Sequence, residues 1–282
     1  MTDNRTVRLS SIAGTWYPDD PKRLRSDLAG YIDTAENPPL PGQVVGLVVP
    51  HAGYVYSGAI AGHAFKTVQG DSFDCVCVLS PMHQYYSQPL LTSAHRAYRT
   101  PLGDIPLADD EIEQINARLM EKISIGLTPI ANDCEHSLEI ELPFLQVALS
   151  GDFTLIPIML RDQSRQVAKA LGEVLAEVFV DKMCLMVASS DLSHFHTQHQ
   201  AERLDLVVLN TLEAFSPEGL FDLKDQGQGQ ACGLAPMAAV LWAAEKLGAN
   251  AATLLKYATS AATTGDTSSV VGYGAAAITR PD

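Results

Sequence analysis

Short apolar runs alternate along this chain with longer amphipathic stretches, the pattern that βαβ units produce. Residues 44–49 (VVGLVV), 73–79 (FDCVCVL), 153–159 (FTLIPIM) and 184–188 (CLMVA) have strand length and are apolar almost throughout, as expected of central strands covered on both faces. Residues 254–258 and 270–278 extend the series toward the C-terminal side. Helical periodicity is carried by 21–34, 58–68, 109–120, 137–149, 164–180, 199–215 and 236–247. In the 164–180 stretch Val167, Leu171, Val174, Leu175 and Val178 share one face and Arg165, Lys169, Glu173 and Glu177 another, which makes it a packing helix. No repeat, low-complexity tract or long linker divides the chain, the most irregular stretch being 37–43. The pattern predicts one α/β domain over residues 1–282, with a mainly parallel or mixed central β-sheet flanked by helices.

The predicted strands end informatively. VVGLVV runs into Pro50-His51-Ala52-Gly53-Tyr54, FDCVCVL into Ser80-Pro81-Met82-His83, and CLMVA into Ser189-Ser190-Asp191-Leu192-Ser193-His194. In an open α/β sheet ligands bind beyond the carboxyl ends of the strands, so these loops converge although they are far apart in sequence. One histidine after a strand is an ordinary polar loop residue; three converging imidazoles suggest a metal or acid/base chemistry. Asp191 and His194 are three apart, so a helical turn opening at Ser190 would put them on one face, carboxylate beside imidazole. His63, His95, His196 and His199 are read as surface residues.

Asn132 or Asp133 is expected to cap the helix that follows, with Glu135 as the returning acid of a capping box. His136, in the same loop, is positioned to aim its ring into a cleft. Cys75, Cys77 and Cys184 fall inside predicted central strands and read as inert core thiols. Cys232, in Ala231-Cys232-Gly233-Leu234-Ala235-Pro236, lies just before a helix, where a thiolate is favoured. Tyr54 and Tyr56 follow His51, and a turn at Gly53 would bring one of them over the pocket; packing against the next helix is the other reading.

Composition and charge then exclude several classes. With 46% hydrophobic residues, 20 Gly and 16 Pro, the chain is neither disordered, collagen-like nor a coiled coil. Lys+Arg 19 against Asp+Glu 33 gives a net charge of −14, which repels polyphosphate and argues against nucleic acid as a partner. The polar start carries no signal-peptide core and no window has the apolar length of a membrane span, so a cytoplasmic protein without a membrane partner is expected. Five cysteines without a CxxC pair indicate neither a disulfide framework nor a Cys-rich zinc module. GxSxG, GxGxxG and Walker elements are absent, so neither an elbow serine nor a nucleotide cofactor is indicated.

Taken in order, RLSSIAGTWYP, PHAGYVYSG, DCEHSLEIELPFLQ, SSDLSH, ACGLAP, YATS and SSVVGYGA resemble the MEMO family, whose bacterial and archaeal members include AmmeMemoRadiSam system protein B. The resemblance runs from about residue 8 to residue 277. It implies a fold similar to the class III extradiol dioxygenases, which hold non-haem iron on two histidines and a carboxylate beside a catalytic histidine. By motif, His51 and His83 match the ligand histidines and Cys232 stands at the carboxylate's position. His194 matches the acid/base histidine, with Asp191 beside it and His136 as a further pocket residue. Ser80-Pro81-Met82-His83 departs from the family's GPSH or GPNH, which leaves loop shape and substrate open. A His, His, Cys set is compatible with iron, copper or zinc, and affinity order favours copper or zinc, whereas the resemblance puts iron first as the divalent or redox metal ion. The resemblance implies a metal-dependent oxidoreductase acting on a small molecule. The alternatives are a non-catalytic module binding a metal, small ligand or peptide, and a zinc-dependent hydrolase.

Overall fold

The computed structural model describes residues 6–131 and 133–281. In chain order the first elements are β1 (Val7–Arg8), α1 (Pro21–Asp33), β2 (Gln43–Val49), α2 (Tyr54–Lys66), β3 (Cys75–Pro81), β4 (Leu90–Ser93), β5 (Ala97–Thr100), β6 (Gly103–Pro106) and α3 (Asp109–Ile123). The middle of the chain forms β7 (Leu127–Ile130), α4 (His136–Glu139), α5 (Leu142–Ala148), β8 (Thr154–Leu160), α6 (Arg165–Phe179), β9 (Cys184–Ser189) and β10 (His194–His196). The remainder forms α7 (Gln198–Glu213), α8 (Pro217–Asp225), α9 (Leu234–Lys246), β11 (Ala251–Thr259), α10 (Ala261–Thr264) and β12 (Val270–Arg280).

Strands β2, β9, β3 and β8 lie side by side and parallel at the centre of a mixed sheet. Long β12 closes one side, antiparallel to β2, β10 and β11, while β4 joins the other side antiparallel to β8 and carries β7. A small sheet of β1, β5 and β6 sits apart from it. Alternate residues of each central strand serve opposite faces, as the period of two requires. Cys75, Cys77 and Leu79 of β3, with Met186 and Ala188 of β9, face the core under α6 and α9. Val76 and Val78, with Leu185 and Val187, face the core under α1, α2 and α5. Helices therefore cover both faces, which explains why these strands are apolar throughout, and the molecule is an α/β domain with a mixed sheet flanked by helices. Cys75, Cys77 and Cys184 are buried free thiols in that core.

Two differences from the sequence expectation shape the site. The helix expected over 137–149 is interrupted, because Pro143 lacks an amide for the Glu139 carbonyl and its ring would clash with it. The chain makes α4, a turn through Ile140 and Glu141, and then α5 with Pro143 in its first turn. The helix expected from Gly58 begins earlier, at Tyr54.

The packing of α6 on α9 passes over Gly172, where an added Cβ would lie 2.6 Å from the Ala239 carbonyl oxygen and 2.9 Å from Trp242 Cβ. Ala is favoured over Gly in a helix by about 1 kcal/mol, so the sign of Gly172→Ala separates the two effects. We expect net destabilisation of about 1–3 kcal/mol in urea unfolding, because backbone must move to admit the methyl group. A stabilised variant would mean that the two helices do not approach this closely.

A histidine-rich pocket at the strand ends

Parallel pairing keeps β2, β9 and β3 in step, with Val49 opposite Ser189 and Leu79 opposite Ala188. Their loops therefore leave one edge of the sheet together and bring His51, His83, Asp191 and His194 into one cavity of about 430 Å³. His136, the first residue of α4, joins them. Its ring stacks on His83 at 4.7 Å between centroids, and His51 stands edge-on to both at 5.4 and 5.5 Å. One ligand nitrogen from each of His51, His83 and His136 lies within 4.8 Å of the other two. Trp16, Tyr56 and Tyr273 supply aromatic walls.

The rings are held from behind. His83 Nδ1 pairs with Glu135 Oε1 at 2.9 Å, and the His83 amide donates to Oε2 of the same carboxylate at 2.7 Å. His51 Nδ1 meets Ser189 Oγ at 2.8 Å, and the His51 amide donates to Asp191 Oδ1 at 2.8 Å. With both Nδ1 atoms engaged, each ring is fixed with Nε2 on its opposite edge, the arrangement that orients metal-binding imidazoles. Cys232 Sγ lies 3.1 Å from His51 Nε2 and accepts the Asp191 amide at 3.1 Å. Gly233 makes that approach possible, since a Cβ there would sit 2.2 Å from the Ser189 carbonyl oxygen.

The titratable groups are pushed apart. Burial, reinforced by the neighbouring His136 and His83, holds His51 well below the ordinary imidazole range, and burial also lowers His136 and His194. His83 is raised by its hydrogen bond to Glu135. Burial alone would raise Glu135, but the His83 hydrogen bond and charge and the amides of Ser137 and His83 outweigh it, holding that carboxyl at about 2. Burial pushes Asp191 up to about 7 and raises the Cys232 thiol, the latter with help from Asp191. His51, His136 and His194 are thus biased toward the neutral form that binds cations, while the His83–Glu135 pair holds its proton more firmly.

An N-terminal strap completes the cavity. Arg8, only 3% exposed, donates to both oxygens of Asp133, to Glu139 and to the Glu135 carbonyl. Glu139 also receives Ser10, the Ser11 amide and hydroxyl, and the Tyr17 hydroxyl. So anchored, the strap lays Trp16 on His136 at 4.4 Å between ring centroids, and the Trp16 carbonyl accepts the first amide of α2.

Several sequence expectations change here. Residues 190–193 do not form a helical turn and His194 begins β10, so Asp191 does not serve as its ring partner. Its carboxylate turns to the His51 amide instead. Tyr54 does not line the histidine cavity: residues two apart on a helix point about 200° apart, so Tyr56 faces that cavity while Tyr54 is buried with its hydroxyl on the Ile140 carbonyl at 2.7 Å. Glu135 is itself the cap of α4, accepting the Ser137 amide, and Asp133 is engaged by Arg8; Asn132 lies outside the described residues. His95 is buried against Thr6 rather than on the surface. Glu135 is expected in sequence only as a capping acid, and its place behind His83 is not; a glutamate directly preceding His136 is the signal for it, whereas Ser189 and Trp16 offer none.

The fold and the pocket define an α/β protein with converging histidines at the carboxyl ends of parallel strands. Among solved structures it is similar to an uncharacterized protein of Escherichia coli K12, with a TM-score of 0.55 and 15% identity over 83% of this chain and 99% of that one, a likeness of fold. The family model described as Memo-like protein matches residues 8–277, and the chain belongs to that family. A MEMO1 family protein of Methanopyrus kandleri is 33% identical over 97% of this chain and 99% of its own length. One from Methanosarcina mazei is 34% identical over 95% and 98%. Among the described residues no helix is long and apolar enough to cross a membrane.

Two expectations follow from the geometry. Glu135 titrates at about 2 in the fold against an ordinary 4.5, so as pH falls the unfolded chain takes up the proton first, and its contribution is present above about pH 4.5 and lost toward pH 2. In urea unfolding the advantage of wild type over Glu135→Gln should shrink by on the order of 3 kcal/mol across that window; a pH-independent difference would contradict the pairing. Tyr54→Phe should cost about 1–2 kcal/mol through the lost bond to the Ile140 carbonyl and leave ligand binding unchanged, the opposite of what a pocket hydroxyl would do.

Proposed function

We propose that this protein is a metal-dependent enzyme of the oxidoreductase type acting on a small organic molecule, with its metal held by His51 and His83. The observation that carries this reading is the convergence of imidazoles within 4.8 Å whose outer nitrogens are tied to Ser189 and Glu135. The third donor is His136 or Cys232: the former belongs to the cluster, and the latter lies 3.1 Å from His51 Nε2. Nitrogen donors with a single thiol accept iron, copper or zinc, and the redox reading takes iron first. A bound metal of this kind supplies Lewis-acid or redox activation of a substrate beside it.

The remaining groups have roles that follow from their positions. Trp16, Tyr56 and Tyr273 line an apolar wall suited to a flat organic ring. His194, on the open side of the cavity and kept neutral by burial, is placed to take a proton from a substrate hydroxyl and to return it. Asp191, whose carboxyl is raised to about 7, holds the His51 loop through the backbone amide. The polar groups that tie back His51 and His83 hold each ring by its Nδ1, so the positioning does not have to be made on binding.

Metal content of protein purified without an affinity tag tests this. We expect about one metal ion per wild-type chain and loss of at least ten-fold in affinity in His51→Ala and His83→Ala, with folding retained. Equal stoichiometric content in wild type and both variants would remove these histidines from the ligand set. His136→Ala and Cys232→Ala, compared side by side, identify the third donor. Catechols and related small ligands, screened by thermal shift on the loaded protein, test the substrate class.

A further inference from the structure

Behind His51 the polar atoms form a chain whose protons can be assigned by valence. Ser189 Oγ lies 2.8 Å from His51 Nδ1, 2.9 Å from Glu141 Oε1 and 2.6 Å from the Ser137 carbonyl oxygen. Ser189 and the three groups around it are cut off from water: Ser189 and Ser137 are 0% exposed, Glu141 1% and His51 2%. A hydroxyl has one proton to give and two lone pairs that accept. The Ser137 carbonyl can only accept, and it has lost its usual helical donor. The amide of Glu141, four residues on, turns to the Leu138 carbonyl where the helix breaks before Pro143. The single Ser189 proton therefore goes to Ser137 at the shortest of the three distances. The other two neighbours must then both be donors.

We propose that Glu141 is a neutral carboxylic acid that donates to Ser189 Oγ, and that Ser189, its own proton drawn to the Ser137 carbonyl, is a positioning residue that holds His51 as the Nδ1–H tautomer. Were Glu141 an anion, it would claim the Ser189 proton, and two oxygens 2.6 Å apart, Ser189 Oγ and the Ser137 carbonyl, would face each other without one. Burial acts in the same direction, raising the Glu141 carboxyl well above its ordinary range. At the other end of the ring, Cys232 Sγ 3.1 Å from Nε2 is a thiol able to donate to that nitrogen's lone pair, so the same tautomer satisfies both nitrogens. The proline that breaks the helix is thus connected to the site. It frees the Ser137 carbonyl to draw the Ser189 proton and leaves Glu141 in the turn, where its side chain meets the hydroxyl.

The role assigned to Nε2 rests on the metal reading above, whereas the proton assignment does not, and two measurements keep them separate. In metal-free protein, nitrogen chemical shifts of the His51 ring report its tautomer, and the infrared carbonyl band of a neutral carboxylic acid, missing in Glu141→Gln, reports Glu141. We expect His51 as Nδ1–H in wild type and in Glu141→Gln, whose amide can still donate to Ser189 Oγ. Ser189→Ala should move the ring toward the Nε2–H form, whereas in Glu141→Met the Ser137 carbonyl still draws the Ser189 proton and the ring stays Nδ1–H. Ferrous and zinc ion titrations should then show about 10- to 100-fold weaker binding in Ser189→Ala and near-wild-type binding in Glu141→Gln, the size typical of a partner behind a ligand. His51 found as Nε2–H in wild type, no neutral-acid band from Glu141, or Ser189→Ala with an unchanged tautomer would each overturn the proposal. If wild type binds neither metal while His51 is Nδ1–H and the band is present, the metal reading fails and the proton assignment stands.

Discussion

The site depends on the parallel ladder of β2, β9 and β3. Parallel strands all end at the same edge, and backbone pairing sets that edge to within a residue, so loops more than a hundred positions apart in sequence arrive together. The two hydrophobic faces in turn require helices on both sides, and those helices carry the remaining site residues: Tyr56 on α2, His136 at the start of α4 and Cys232 just before α9. Polar chemistry is thereby confined to one end of an otherwise apolar sheet.

At that end the organising groups are carboxylates with almost no access to water. Glu135 joins His83 to the cap of α4, Glu139 joins Arg8 to the strap that carries Trp16, Asp191 holds the amide of His51, and Glu141 stands behind Ser189. Buried carboxylates are costly unless their oxygens are satisfied. Each of these meets the cost differently: an imidazole, a guanidinium with several donors, backbone amides, or a retained proton. Every one of them needs its partners in place, which ties the strap, the helix break and the strand-end loops to one another.

Much of this was legible along the chain, but unevenly. The four central strands were readable because burial on both faces leaves continuous apolar runs, and the amphipathic α6 because one face must be wet. Four-residue β4, β6 and β7, with sequences LLTS, GDIP and LTPI, carry too few positions for any period to emerge. The histidines following β2, β3 and β9 marked the site from position alone. The break at Pro143 was also open to reading, though the apolar stripe on either side of it suggested one continuous helix.

What the amino-acid sequence determined by itself is thus the class of fold, the family and the end of the sheet where chemistry collects, since each follows from local pattern or motif order. Partner choice was decided only by the tertiary structure. Asp191 lies three residues from His194 yet serves His51, Tyr54 turns inward while Tyr56 faces the cavity, and Arg8 meets Asp133 and Glu139 across more than a hundred residues. The physical reason is that side-chain pairing depends on distance and direction in space. A loop whose backbone follows neither period gives no sequence rule for where its side chains point.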